Sequence, residues 1–220
     1  MLFHRRLLLA TVPLALAATS ISAHARSPYA GRYRVSEGPD TAGLLELRAD
    51  GRFRYQLSEG ALDEHAEGNW SETGGEISLN TEPKPVPASF ARGPDRRAEE
   101  RGRAATLQVV LADGREIAGV DFRLGLADGS SLAGYTQAEG WSFAEPGERR
   151  VAWVELHEPI YGIASPRFAI DPPAAGGLLF VLTPNDIDTV DFADARVERR
   201  SDDFVLHHPD RELRLVRVRD

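Results

Sequence analysis

Apolar side chains alternate with polar ones along most of the chain, and this period of two constrains the fold more than any other feature. The alternation is clear at Tyr33 and Val35, and again at Phe53, Tyr55 and Leu57. Successive side chains of a β-strand point to opposite faces, so the period predicts strands with one buried face. The chain is therefore predicted to be all-β.

Glycine-containing turns separate the alternating runs. Asp50-Gly51 and Gly74-Gly75 lie between neighbouring runs in the first third of the chain. Both are two-residue hairpin sequences, in which glycine supplies the positive φ that a tight reversal requires. Residues 31–80 are thus predicted to form a meander of about five short antiparallel strands.

Proline-rich breaks divide the rest of the chain. Residues 83–104 contain three alternate prolines and a charged run, which predicts a linker because proline cannot donate to a β ladder. The alternation resumes from residue 105 and is broken again at Pro172-Pro173. The predicted division is a leader, a meander, a linker, a second β segment and a last group of about four strands, at residues 1–25, 26–82, 83–104, 105–171 and 172–220.

The leader has the layout of an export signal. A basic pair, Arg5-Arg6, precedes an apolar run at residues 7–18, and Ala23-His24-Ala25 is a small-x-small cleavage sequence. Cleavage is expected after Ala25, by the general or the twin-arginine route. The apolar run is shorter than the roughly 20 residues of a membrane helix. We therefore expect a periplasmic or secreted protein without a membrane span.

Composition narrows the classes of partner. Loss of the two leader arginines reduces Lys+Arg from 26 to 24 against 34 Asp+Glu, which gives a formal charge of 24 − 34 = −10. Such a chain repels nucleic acid and anionic lipid, so we expect neither as a partner. There is no cysteine, so disulfides and thiolate chemistry are excluded.

Two segments resemble known β families. Gly31-x-Tyr33, Asp50-Gly51-x-Phe53-x-Tyr55 and Gly68-x-Trp70 resemble the opening meander of a lipocalin-type barrel, in which the indole closes one end. Residues 111–122 and 134–143 are similar to the carboxypeptidase regulatory-like β-sandwich, which is related to transthyretin. The chain as a whole resembles uncharacterised exported proteins of Gram-negative bacteria.

These resemblances imply an antiparallel β-barrel, or meander, combined with a β-sandwich. Strands before residue 82 and after residue 172 would suffice for a barrel of about eight strands. The sandwich is then inserted between barrel strands; two β domains in series remain the alternative. The chain departs from the sandwich family at Gln137, where aspartate is commoner, so the resemblance does not establish an ion at that corner.

Candidate metal ligands are few. His207 and His208 are neighbours on a strand and should point to opposite faces, which predicts a polar hairpin tip rather than a metal site. The aspartates near residue 190 lack the glycine that calcium loops require; they are Asp186, Asp188, Asp191 and Asp194. No metal ion and no cofactor is predicted.

Binding is the predicted activity, with no catalytic residue assigned. No G-x-S-x-G elbow is present. We expect an exported, non-enzymatic protein for a small hydrophobic or anionic ligand, with a site formed by Tyr33, Phe53, Tyr55, Trp70, Asp63 and Glu64. The alternatives are an envelope module that binds protein or glycan, and a hydrolase that uses carboxylates at Asp63, Glu64 and Glu67.

Overall fold

The computed structural model describes residues 27–94, 106–144 and 149–219. The predicted leader and the charged part of the predicted linker lie outside these ranges. Within them, no helix is long and apolar enough to cross a membrane. Regular structure in the described residues consists of sixteen strands.

The strands are numbered in chain order: β1 (Gly31–Val35), β2 (Thr41–Leu47), β3 (Arg52–Glu59), β4 (Leu62–Thr73), β5 (Glu76–Thr81), β6 (Ser89–Arg92), β7 (Leu107–Leu111), β8 (Asp121–Leu126), β9 (Ser131–Tyr135), β10 (Val151–Glu158), β11 (Ile163–Ala164), β12 (Phe168–Ala174), β13 (Leu178–Thr183), β14 (Ala195–Arg200), β15 (Asp203–His207) and β16 (Glu212–Arg217).

Eight of these strands form a closed antiparallel barrel. Strands β1 to β5 follow one another as a meander, β14 pairs with β5, and β16 closes the ring on β1. Two of the strand pairs join strands that are far apart in the sequence. In their register, Leu79 lies opposite Ala195 and Tyr33 lies opposite Arg217. The prediction of an all-β fold with an antiparallel barrel is confirmed.

Side chains at alternate positions of the barrel strands fill the barrel interior. Eleven inward-facing apolar side chains on β1 to β5 are at most 2% exposed, and they are Tyr33, Val35, Leu45, Leu47, Phe53, Tyr55, Leu57, Ala66, Trp70, Ile77 and Leu79. Arg34 and Arg54 occupy the alternate, outward positions and are exposed. Burial of this apolar set, at about 25 cal/mol per Å², is the main stabilising contribution to the barrel.

Two further sheets enclose a second apolar core. One has the order β11-β10-β8-β9, with β12 also paired to β10, and the other has the order β6-β13-β7. Phe122, Leu124 and Val154 from the first sheet pack against Val109, Phe180 and other residues of the second. The chain enters this sandwich after β5 and returns to the barrel at β14.

Two strands lie where the sequence indicated something else. Strand β6 is within residues 83–104, after the last of the alternate prolines, and it pairs with β13. Strand β13 lies in residues 172–220 but pairs with β6 and β7 rather than with barrel strands. Its continuous apolar run has both faces buried, which suits a central sandwich strand and not a barrel strand with one wet face.

The barrel strands approach each other closely at Gly68. A Cβ built on Gly68 would lie 2.0 Å from the backbone oxygen of Asn80 and 2.8 Å from the Phe53 ring. Backbone cannot move away as a flexible side chain can, so we expect Gly68→Ala to cost at least about 1–3 kcal/mol. Thermal unfolding should show a midpoint lowered by several degrees. Ser71→Ala, at an exposed position of the same strand, is the control; equal midpoints for the two variants would contradict the packing described.

Candidate functional site

The barrel end nearest the chain termini is closed by packed aromatic rings. The Tyr33 ring packs edge-on against Phe204, 5.1 Å between centroids, and burial raises the pKa of its hydroxyl. Arg217 lies over Tyr33 and donates to the backbone oxygens of Pro28 and Ala30, both at 2.7 Å. Trp70 Nε1 donates to the Arg48 oxygen at 2.8 Å. Tyr33 and Trp70 are therefore packed within the core at this closed end.

The opposite end, called the mouth here, is where the chain leaves for the sandwich and returns. It is formed by the β3–β4 hairpin, the β15–β16 connection and residues 82–88 and 184–194. Phe192 of the returning segment is 1% exposed and inserts into the barrel. Its ring lies 5.2 Å from the Tyr55 ring and 6.0 Å from the Phe53 ring. The mouth is therefore plugged by a residue from the connection.

The outgoing and returning connections are tied to each other and to β4. Val86 N–H donates to Asp186 Oδ2 at 2.8 Å. His65 N–H donates to the Asp188 oxygen at 2.8 Å, and Val190 N–H donates to the His65 oxygen at 2.9 Å. Since backbone groups make most of these bonds, the two connections hold a fixed position across the mouth.

Three polar side chains with buried polar atoms lie just inside the mouth: Tyr55, Glu64 and His208, called the polar cluster here. The side chain of His208 is 2% exposed and that of Glu64 is 12% exposed. His208 Nε2 lies 3.2 Å from Glu64 Oε2, and the Tyr55 hydroxyl also faces the Glu64 carboxylate, but the geometry of these contacts is poor. The polar cluster is thus buried without full compensation.

The protonation of the polar cluster follows from its surroundings. Asp210 N–H donates to His208 Nδ1 at 3.3 Å, which leaves Nε2 as the ring nitrogen that faces Glu64 and can donate to it. Burial, and then the negative charge of Glu64, raise the pKa of the Tyr55 hydroxyl, which therefore stays protonated. Two potential donors accordingly surround one carboxylate.

A cavity of about 290 Å³ opens onto the polar cluster. Glu64 and His208 line it from the barrel, and Tyr161 and Ile163, in and beside the β10–β11 hairpin, line it from the sandwich. Burial, and then the negative charge of Asp188, raise the pKa of the Tyr161 hydroxyl. The returning connection completes the wall. The cavity thus lies at the junction of barrel and sandwich, and its residues come from both.

The structure brings together only part of the predicted site. Tyr33, Phe53 and Trp70 pack in the barrel core, while Tyr55 and Glu64 meet at the mouth. Asp63 and Glu64 point to opposite faces of β4, with Asp63 exposed. Whether the six residues bind a ligand stays a prediction.

Three residues of the mouth were not predicted from the sequence. His208 is buried, so the prediction of a polar hairpin tip is wrong for it, whereas the partly exposed His207 bonds to Glu198. Extending the period of two from Phe204 and Leu206 would have placed His208 inside. Tyr161 and Phe192 carry no comparable local pattern, because both act across the junction.

The aspartates of the returning segment face separate partners. Asp188 Oδ2 lies 3.6 Å from His65 Nδ1, Asp191 Oδ2 lies 3.5 Å from Lys84 Nζ, and Asp194 accepts from Asn80 at 2.9 Å. Across the described ranges, no group of three or more His, Asp or Glu side chains is placed to hold a metal ion.

Comparison of the chain with protein-family models, with curated proteins and with solved structures gives no match. The two family resemblances therefore remain predictions.

Phe192 is expected to stabilise the barrel more than any other residue of the connections. Phe192→Ala removes a fully buried ring and should reduce the free energy of unfolding by about 3–5 kcal/mol. Phe192→Leu keeps most of the volume and should cost much less. Urea unfolding monitored by circular dichroism measures both. A Phe192→Ala variant as stable as wild type would show that the mouth does not depend on this plug.

The Glu59–Arg211 pair makes stability at the mouth depend on pH. The hydrogen bond from Arg211 lowers the pKa of Glu59 below its value of about 4.3 in unfolded chains. The pair therefore stabilises the fold above about pH 4.3, and this contribution is lost as pH falls through the lower, folded pKa. Glu59→Gln should be less stable than wild type at pH 6, and the difference should shrink by pH 3.

Arg211→Gln provides the matching variant for this measurement. It removes the same pair from the other side, so its stability difference from wild type should shrink over the same pH range. Thermal unfolding at pH 6, 4 and 3 gives the comparison. A difference between Glu59→Gln and wild type that is constant over this range would contradict the lowered pKa.

Proposed function

We propose that the chain is an exported, non-enzymatic protein that binds a small ligand in the cavity at the barrel mouth. The observation that carries this proposal is the polar cluster, in which three buried polar atoms pair with one another only in poor geometry, beside a cavity. Each such atom costs about 1–3 kcal/mol. A ligand that supplies better-aligned partners recovers that cost on binding.

The location follows from the sequence of the leader. A basic pair, an apolar run and a small-x-small cleavage sequence support export and removal of residues 1–25. The processed protein would act in the periplasm or outside the cell. Its ligand would then be a compound of that compartment.

The family assignments belong to the same proposal. A lipocalin-like barrel is supported by Trp70, which bonds across the closed end. A carboxypeptidase regulatory-like sandwich is supported by Gly140, whose φ of 88° allows the tight reversal before Phe143 enters the second core. We propose both as relationships of structure, and neither implies a catalytic activity.

A second candidate function rests on the edge of the sandwich. Strand β9 is the end strand of its sheet, and Tyr135 at its end is 59% exposed. An extended segment of another protein could add to such an edge through main-chain hydrogen bonds. This would make the sandwich an envelope interaction module. The hydrolase alternative draws on Glu64 alone, because Asp63 and Glu67 face outward.

Ligand binding at the mouth is tested with a variant that fills the cavity. Ile187 lines it, whereas Val86 on the outgoing connection is 55% exposed and does not. Thermal-shift screening of wild type with small cationic, neutral and anionic compounds should identify a stabilising ligand. Titration calorimetry should then show saturable 1:1 binding, weakened at least about tenfold by Ile187→Trp and retained in Val86→Trp.

Two outcomes would contradict the proposal. One is the failure of every compound class to bind. The other is binding that Ile187→Trp leaves unchanged, which would place the ligand elsewhere. Unfolding midpoints of both tryptophan variants establish that loss of binding does not reflect loss of fold.

A further inference from the structure

We infer that the free edge of strand β9 binds the same edge of a second copy of this chain, and this inference is independent of the ligand proposed at the mouth. Strand β9 ends its sheet and pairs with β8 on one side. No strand of the described ranges pairs with its other side. Its side chains at Ser131, Ala133 and Tyr135 are exposed. The strand therefore offers an open edge for pairing.

Hydrogen bonds at the two ends of β9 identify its free backbone groups. Leu126 N–H donates to the Ser130 oxygen at 2.8 Å, and Thr136 N–H donates to the Val120 oxygen at 2.9 Å. Bonds to one neighbour alternate along an antiparallel strand, so the even-numbered residues of β9 bond to β8. The N–H and C=O groups of its odd-numbered residues therefore point to the open edge.

The other edges of the described sandwich are blocked. Strand β11 has two residues and β6 has four, and β12 contains Pro172-Pro173, which cannot donate. The outer side of β7 is covered, since Ile117 N–H donates to the Val109 oxygen at 3.0 Å and Trp141 N–H donates to the Leu107 oxygen at 2.8 Å. Short strands, prolines and cover are the usual protection against edge-to-edge association. Strand β9 has none of the three.

The open edge of β9 matches itself. In an antiparallel pair centred on Ala133, Ser131 of one copy lies opposite Tyr135 of the second copy, and the two Ala133 residues lie opposite each other. These are the residues whose backbone groups are free, so each pair exchanges two main-chain hydrogen bonds. A two-fold axis then relates the copies, which is the commonest symmetry of oligomers.

Side chains and charge suit the same arrangement. Tyr135 is 59% exposed and would cover Ser131 and Ala133 of the second copy, whose small side chains leave room for the ring. Strand β9 has no charged residue, and the exposed positions beside it on β8 are Asp121 and Arg123, whose charges cancel. An acidic chain would otherwise repel its own copy. A charged segment of another protein gains nothing from this edge.

The expected dimer is weak, because the interface is small. Strand β9 has five residues, whereas a stable interface has roughly 20–30 residues on each side. We expect a monomer–dimer equilibrium with a Kd on the order of 100 µM. Sedimentation velocity of wild type from about 10 µM to about 1 mM measures it, and the dimer fraction should rise with concentration.

Ala133→Lys places two like charges opposite each other at the two-fold axis and should weaken the dimer at least about tenfold. Ala42→Lys is the control, because Ala42 is exposed on barrel strand β2. It should dimerise as wild type does. A mixture of Ala133→Lys and Ala133→Asp should dimerise again, since the opposite charges then meet across the axis. Unfolding midpoints establish that each variant is folded.

The absence of cysteine from the chain allows a covalent test of the register. Opposite residues of a hydrogen-bonded antiparallel pair have Cα atoms about 5.5 Å apart, within the range of a disulfide. Ala133→Cys should therefore form a disulfide-linked dimer under mild oxidation, and Ala42→Cys should not. Electrophoresis without reducing agent measures both.

Three results would overturn the inference. The first is a wild-type chain that stays monomeric up to about 1 mM, ten times the expected Kd. The second is a dimer that Ala133→Lys leaves intact, which would place the interface elsewhere. The third is an extended peptide of another protein that binds β9 of a chain without self-association. None of these results bears on the ligand proposed at the mouth.

Discussion

The barrel depends on pairing between strands that are far apart in the chain. Strand β5 pairs with β4 on one side, but its other barrel neighbour is β14, and Leu79 lies opposite Ala195 across the whole inserted sandwich. Closing so long a loop costs entropy, although the cost grows only logarithmically with loop length. The hydrogen bonds between the two connections offset part of it. The sandwich thus serves as a folded spacer that returns the chain to the correct strand.

This connectivity also determines where a ligand could enter. Side chains fill the barrel from the closed end to Phe192, so apolar burial in the interior is complete along the described strands. The polar groups that a binding site requires are displaced to the mouth. There Glu64 of β4 and His208, just after β15, meet residues of the sandwich. A cavity at the junction of two units is a common location for ligand sites.

The sequence predicted what depends on local periodicity. The alternation at Phe53, Tyr55 and Leu57, with glycine turns on each side, was sufficient for the barrel meander. It was insufficient for β13, because a run such as Leu178 to Leu182 with both faces buried has no alternation. Strand β6 was not predicted, because the prolines before it indicated a linker. Both strands form because of their pairing in the tertiary structure, which overrides the local sequence pattern.

The candidate site follows the same division. Glu64 and Tyr55 are readable from the sequence because each continues an inward series, and His208 extends the series of Phe204 and Leu206. Tyr161 and Phe192 are not, since their contacts depend on how the sandwich is attached to the barrel. A site built at a junction therefore combines residues of periodic series with residues of turns and connections.

The polar cluster then has a simple physical consequence. Leucine or phenylalanine at positions 64 and 208 would satisfy the barrel pattern and avoid the cost of buried polar atoms, which is about 1–3 kcal/mol each. The chain instead has a carboxylate and an imidazole at the end of its apolar core, 3.2 Å apart and poorly aligned. Stability alone does not favour this arrangement. The ligand that we propose at the mouth would account for it.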